Sequence, residues 1–362
     1  MSDGSSFLLS NRAAAQSRNF HLFSSHQHPR VIMAGGWDLN RHPLTASKFF
    51  RWLTLVDGPR KTEIAIQRLD IVRVDVLRYG FGSCHGPLIK RESEELLEPG
   101  IYGVVTVADG TPFPWRVGVN YNVTFERLDQ VFANVHPAQP LRPGIALQDI
   151  ENQIPNELAA LVASRDKGKC CISGRSDLPT TVTWVFPPRA GYNLEKLEPV
   201  TVRFEDYRVP ENLVTICSSL VDSFNRNLFS VDIEDSNRII EFADLLDGTP
   251  QLPRQMPKSQ RVAGSDKFWL LSFAYTIKVH FPGGDPGPDY RKYDAREWAE
   301  DLSKAAPDLA DPKWQTPFGR EVLGAYREQE LRMIQFLQQR CGPEELDPAL
   351  FSDDDVSDNG TD

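Results

Sequence analysis

The hydrophobic pattern changes period partway along the chain, and that change restricts the fold more than any other feature. Between residues 31 and 134, short runs rich in β-branched and aromatic residues are separated by Gly, Pro and Asp turns, as in LDIVRVDVLRYG and IYGVVTVADGTPFPWRVGV. Such runs read as strands. In the second run Asp109-Gly110 supplies a turn between two of them. VIMAGGWDL, FFRWLTLV and VNYNVTFERL have the same composition and are read as strands too. After residue 145 the spacing becomes helical. Ile150, Ile154, Leu158, Leu161 and Val162 recur at three and four, with a regular start near Asn156 after Pro155. DKFWLLSFAYTIKVHF, with Ser265 or Asp266 as N-cap, is apolar on nearly all sides and is expected to be buried. TPFGREVLGAYREQELRMIQFLQQR places Thr316 as cap and Pro317 at the first helical position. Phe318, Val322, Tyr326, Met333 and Leu337 line one face of it. A run of strands followed by a run of helices implies an α+β fold.

Charge divides the chain again. The formal net charge is -10, yet residues 342–362 hold eight acids and no Lys or Arg. The rest is close to neutral, which gives no global signature of nucleic-acid binding. The tail reads as an acidic disordered segment, with an interaction tail for a basic partner as the alternative. Residues 1–30 are rich in Ser, Asn, Gln and His and read as a disordered leader, with mild likeness to a transit peptide. VHPAQPLRPG, residues 135–144, and the polar stretch 248–264 read as linkers. FPGGDPGPDYRKYD reads as a loop. No apolar run is long enough to span a membrane. The five cysteines, Cys84, Cys170, Cys171, Cys217 and Cys341, are odd in number and lack a Cys-x-x-Cys pair. That is the thiol usage of a reducing compartment, so the expected location is intracellular, cytoplasm or nucleus.

Residues 164–235 are the most informative. Arg165-Asp166 precedes Cys171 and Ser173-Gly174. Thr183-Trp184-Val185-Phe186-Pro187 follows, then Asn212, then Leu220-Val221-Asp222-Ser223-Phe224-Asn225, then Leu228-Phe229-Ser230-Val231-Asp232. This order resembles the HNH endonuclease family, in the version common in fungal proteins. There an Arg-Asp pair precedes Cys and Ser/Thr-Gly, a strand ends Ala-His-Ile-Val-Pro, an Asn follows, and a helix opens Leu-His-x-x-Phe-Asp. The resemblance covers about 75 residues and implies a ββα-metal core inside the α+β fold. It would divide the chain into a leader (1–30), a strand-rich domain (31–145), an HNH-like domain (146–247), a helical part (248–341) and the tail (342–362). In the family, one His takes a proton from water, the other binds a divalent metal, and the Asn holds strand and loop in register.

Here both histidines are replaced. Trp184 stands at the general-base position, and its indole nitrogen is a donor only. Val221 stands at the metal-ligand position, and Asn225 replaces the last carboxylate. Asn212 remains. The seven histidines are His21, His26, His28, His42, His85, His136 and His280, so none lies near the motif. The resemblance then implies a catalytically inactive scaffold that binds or interacts and needs no cofactor. Arg165, Asp166, Cys171, Gly174, Pro187, Phe224 and Phe229 would be its framework. The alternative is an active metal-dependent endonuclease with ligands from Asp222, Asp232, Glu234, Asp235 or His280. Nucleic acid remains a partner by resemblance, although the basic residues of this stretch are offset by its Asp and Glu.

Other constellations read as structural. Cys84-His85 are neighbours whose side chains point apart along a strand. Asp232, Glu234 and Asp235 read as a solvated edge and turn. Trp184, Phe186 and Tyr192 read as core, with a base-stacking surface as the alternative. Cys170, Cys171 and Cys217 fall one ligand short of a closed zinc site.

Overall fold

The computed structural model describes residues 7–27, 30–57, 63–115, 123–128, 152–195, 204–304 and 306–341. The linker expected at 135–144 and the acidic tail lie outside them. Helices and antiparallel sheets are both present, as an α+β fold requires.

Five strands close a barrel in the order β1-β2-β4-β3-β5: β1 (Phe20–Gln27), β2 (Arg30–Trp37), β3 (Ile64–Asp75), β4 (Arg78–Ile89) and β5 (Gly100–Thr106). Neighbours are antiparallel except β1 and β5, which run parallel with Phe20 opposite Gly100. Closure removes the open sheet edges that would otherwise invite association.

Several sequence expectations fail here. The described end of VNYNVTFERL, residues 123–128, holds a 3-10 turn over Phe125–Arg127 and no strand. FFRWLTLV is no strand. It lies in helix α2 (Ala46–Asp57), where the Thr45 hydroxyl accepts a hydrogen bond from Lys48 N at 3.3 Å. Phe49, Trp52, Leu53 and Val56 are buried at helical spacing. Aromatic and β-branched composition masked that period. Nor are residues 7–27 a disordered leader. They form α1 (Asn11–Ala15) and strand β1, with Phe20, Leu22 and Phe23 buried. Arg12 donates to Val279 O, and Arg18 donates to His280 O and, at 2.7 Å, to Gly283 O. Two guanidinium groups thus satisfy carbonyls left open at a helix C-terminus more than 260 residues away.

That helix is α6 (Asp266–His280), expected from its cap and buried as its composition demands. Phe268, Trp269, Tyr275 and Val279 enter one core, and Phe273 and Ile277 enter the barrel-side core with α2. Both faces are covered, which is why both are apolar.

The second core is built on α3 (Asn156–Asp166), the antiparallel pair β6 (Thr180–Trp184) and β7 (Leu213–Cys217), α4 (Pro188–Glu195), α5 (Ser218–Asn225), and the pair β8 (Phe229–Asp232) and β9 (Arg238–Glu241). Two further helices, α7 (Ala295–Leu302) and α8 (Pro317–Cys341), share a small cluster of Leu302, Trp314, Phe318 and Val322. The Thr316 hydroxyl caps α8 by accepting from Gly319 N at 3.0 Å. Arg73 of β3 pairs with Glu321 at 3.0 Å and Glu328 at 2.7 Å, fixing α8 to the barrel.

The carboxylates at the end of β8 and in the turn after it are not simply a solvated edge, although Glu234 is exposed. Asp232 is fully buried. It accepts from Arg51 Nη1 at 3.0 Å and from Trp52 Nε1 at 3.2 Å. Glu234 takes the same Arg51 at 2.8 Å, and Asp235 pairs with Lys48. One turn of α2 therefore locks the barrel to the β8–β9 turn. The charge run that looked solvated is an ionic joint whose partners lie 180 residues upstream. None of the described helices is long and apolar enough to cross a membrane.

Candidate functional site

The Arg165-Asp166 pair ends α3, where Lys167 closes the helix in the left-handed region at φ 51°. Asp166 Oδ1 accepts from Arg165 Nε at 2.6 Å, and its Oδ2 accepts from Thr215 N of β7 at 2.9 Å. Arg165 also donates to Pro210 O at 2.8 Å and Leu213 O at 2.7 Å. The pair thus fastens the helix to β7 and the loop before it. The following turn reinforces this, because Cys171 N donates to Thr215 O at 2.8 Å. Gly174 sits at φ 71°, a conformation side chains rarely adopt, and its N–H closes the turn on Cys170 O at 2.7 Å.

Asn212 is fully buried at the entry to β7. Its Oδ1 accepts from Phe186 N at 2.9 Å, and its Nδ2 donates to Phe186 O at 2.7 Å and Tyr207 O at 2.8 Å. Its own carbonyl accepts from Val185 N at 2.8 Å. This one side chain holds the end of the β6 strand, at the Pro187 turn, against the loop that leads into β7.

Trp184 is buried with Val162 and Leu213, and its Nε1 donates to Asn152 O at 2.6 Å. Val221 is half-buried on α5, against the core that holds Leu220, Phe224 and Phe229. Trp184 and Val221 therefore belong to separate apolar clusters. Asn225 ends α5, partly exposed. Trp184, Asn212 and Val221 are each spent on packing or on backbone hydrogen bonds.

The substitute ligands are scattered. Asp222 is exposed on α5, and Asp232 is occupied by Arg51 and Trp52. His280 Nε2 meets Asn227 O at 2.7 Å, and its Nδ1 meets Gln16 Nε2 at 3.3 Å. Among the described residues no three His, Cys, Asp or Glu side chains are grouped to hold a metal ion. Phe186 packs in the core against Phe125 and Tyr207, so it offers no stacking surface, and the Tyr192 side chain lies outside the described residues. On β4, Cys84 is partly buried beside the Phe23 cluster, while His85 is exposed with Nδ1 3.7 Å from Asp70. Burial and Asp70 push the Cys84 thiol up.

Beside Arg165-Asp166 opens a cleft of about 670 Å³, with Lys167, Lys169 and Arg261 on its walls together with Glu211. A more enclosed cavity, of about 340 Å³, lies at the junction of barrel and second core. Arg18, Trp37, His42, Phe242 and His280 line it. Phe242 stacks on His280 with ring centroids 5.3 Å apart and lies 5.6 Å from His42. Trp37 Nε1 and His42 Nε2 are buried and have no hydrogen-bond partner among the described residues. Burial holds His42 and His280 down to about 4, with nearby Arg41 adding to the effect on His42 and Arg12 and Arg18 to that on His280. Both are neutral at neutral pH. The cavity offers hydrogen bonds and an aromatic wall, and its size is within the range that small ligands occupy. Sequence reading passed over it because its parts come from residues 18, 37, 42, 242 and 280. The only signal was that five of the seven histidines crowd the N-terminal third and that one of the other two, His280, ends α6.

In comparisons with known proteins, no family model, no curated protein and no solved structure matches the chain.

Proposed function

We propose that residues 164–235 form an HNH-like ββα frame whose catalytic positions serve packing, and that the protein is a catalytically inactive binding or interaction scaffold. The observation that carries this reading is the pairing of Asn212 with Trp184. Asn212 makes all its side-chain hydrogen bonds to Phe186 and Tyr207, in the strand-and-loop role the resemblance assigns to it. At the general-base position Trp184 donates its only polar hydrogen to Asn152 O inside an apolar cluster. An indole N–H cannot accept a proton from water, and here it is already committed. An active nuclease with substituted ligands would have to gather groups that lie apart, with Asp232 held by Arg51 and His280 by Asn227. The cavity beside Trp37 and His42 is the place where a small polar ligand fits this scaffold.

The test is a titration of the ¹⁵N-tryptophan-labelled protein with Mn²⁺, observed on the indole N–H signals. Trp184 is assigned by its loss in Trp184→Phe. The Trp184 signal is expected to stay sharp through the titration. Saturable broadening of that signal, reversed by EDTA, would place a metal at the motif and overturn the inactive reading.

A further inference from the structure

We propose that Cys170 and Cys217 form a reversible redox pair, oxidised by hydroperoxides to a disulfide that clamps the Ser173 turn onto the junction of β7 and α5. Both sulfurs touch the same residue, Ser173, and each thiol is close enough to shift the acidity of the other. Ser173 N donates to Cys170 Sγ at 3.4 Å, and Ser173 Oγ lies 3.7 Å from Cys217 Sγ. The surrounding backbone is held by bonds already described, with Cys171 N on Thr215 O at 2.8 Å pinning the turn two residues short of Cys217.

The two thiols are unequal in a way that suits an attacking and a resolving group. Burial pushes Cys170 up, but hydrogen bonds from the Ser173 hydroxyl and N–H and from Cys217 outweigh it, leaving Cys170 lowered. Burial and the bond with Cys170 raise Cys217. The thiolate is the nucleophile, so Cys170 attacks and Cys217 resolves. Cys171, one residue away, is raised well above its ordinary value by burial and stays inert. Both sulfurs are closed to bulk water. The cover of Cys217 is the Ser173 turn and Arg175, whose side chain is half exposed and bound outward to Asp177 at 2.6 Å. A small hydroperoxide reaches the pair by displacing that turn.

The chemistry balances in two steps. The Cys170 thiolate attacks one peroxide oxygen, the O–O bond breaks, and the other oxygen leaves as hydroxide or alkoxide, giving Cys170 sulfenic acid. Cys217 sulfur then attacks the Cys170 sulfur and displaces hydroxide. The Cys217 proton goes to that hydroxide, which leaves as water. Two thiols are oxidised by one hydroperoxide, which is reduced to water or an alcohol.

The test uses the folded full-length chain treated with stoichiometric hydrogen peroxide, then alkylated under denaturing conditions, digested and mapped by mass spectrometry. The expected product is a Cys170–Cys217 cross-linked peptide, lighter by the two thiol hydrogens and reopened by dithiothreitol. Peptide fragmentation assigns the bridge to Cys170, and Cys171→Ala retains it. Cys170 thiol is expected to disappear at least roughly tenfold faster than Cys171 thiol, as thiolate character dictates. In Cys217→Ser, Cys170 sulfenic acid is expected to accumulate and be trapped by dimedone. Folded wild-type protein whose Cys170 and Cys217 are both recovered alkylated and unlinked would overturn the proposal. So would a cross-link that forms only after unfolding in urea.

Discussion

Replacing Asn212 by Ala is the sharpest perturbation of the proposed ββα frame. The side chain makes three hydrogen bonds between 2.7 and 2.9 Å, all inside the core. Each is worth about 1 kcal/mol net, and a buried group left without its partner costs about 1–3 kcal/mol more. Ala removes all three bonds and strips the Phe186 N–H of its acceptor. The expected loss is about 3–5 kcal/mol, a large share of the roughly 5–15 kcal/mol that holds a domain folded. Urea denaturation with linear extrapolation measures it, read by tryptophan fluorescence and circular dichroism together. Asn212→Asp sharpens the test. It keeps the acceptor for Phe186 N but turns an oxygen toward Phe186 O and Tyr207 O, where a donor is needed. It is therefore expected to be no better than Ala at neutral pH and to recover part of the loss in acid, where the carboxyl regains a hydrogen to donate. A loss below about 1 kcal/mol for Asn212→Ala would refute the clamp, since bonds that weak could not hold the loop.

Asp232→Ala leaves the Arg51 guanidinium and the Trp52 indole facing a vacated position, with only Glu234 to compensate; thermal denaturation is expected to show a loss of about 3 kcal/mol, and Asp232→Asn a smaller one. Ser272 lies buried in mid-α6 with a hydroxyl that has no partner among the described residues, so Ser272→Ala is expected to stabilise by about 1 kcal/mol in the same assay. Acid should destabilise the fold. Burial lowers His21, His42 and His280 from 6.5 to about 4, so their contribution is complete above pH 6.5 and is lost as pH falls toward 4. Asp285 opposes them, because burial raises it from 3.8 to about 6 and its contribution is lost as pH rises through 6. The net is uptake of up to about two protons on unfolding in that window, each worth about 1.4 kcal/mol per pH unit, and His280→Gln should flatten the pH dependence of urea midpoints.

The legible parts of the fold were those whose signals are local. Ser265 and Asp266 marked the start of α6 by position, although the Ser265 hydroxyl donates back to Val262 O at 2.7 Å and does not cap the helix, whereas Thr316 with Pro317 marked the start of α8 by a true cap. The α2 helix was misread because Phe49, Phe50, Trp52 and Val56 are strand formers by composition, and only their spacing carried the helix. The rest was hidden because its partners are remote in sequence. Arg12 and Arg18 look like a solvated leader until α6 places its open carbonyls beside them. Asp232 looks like a turn residue until α2 supplies Arg51 and Trp52. At the candidate site, Trp184 and Val221 could be placed by order alone as departures from the pattern the sequence resembles. That Trp184 binds Asn152, and that the two side chains occupy different clusters, needed the packing of α3 and α5 on opposite sides of the hairpin. The cavity beside Trp37 and His42 had no local signature at all.

The most direct test of the inactive-scaffold reading is plasmid cleavage by the purified full-length protein with Mg²⁺, Mn²⁺, Zn²⁺, Ni²⁺ and Ca²⁺ in turn. An EDTA control runs alongside, and folding is checked by circular dichroism. Supercoiled DNA is expected to survive every metal unchanged. Metal-dependent nicking that co-purifies with the protein and disappears in EDTA would contradict the account and direct attention to the carboxylates around Asp232.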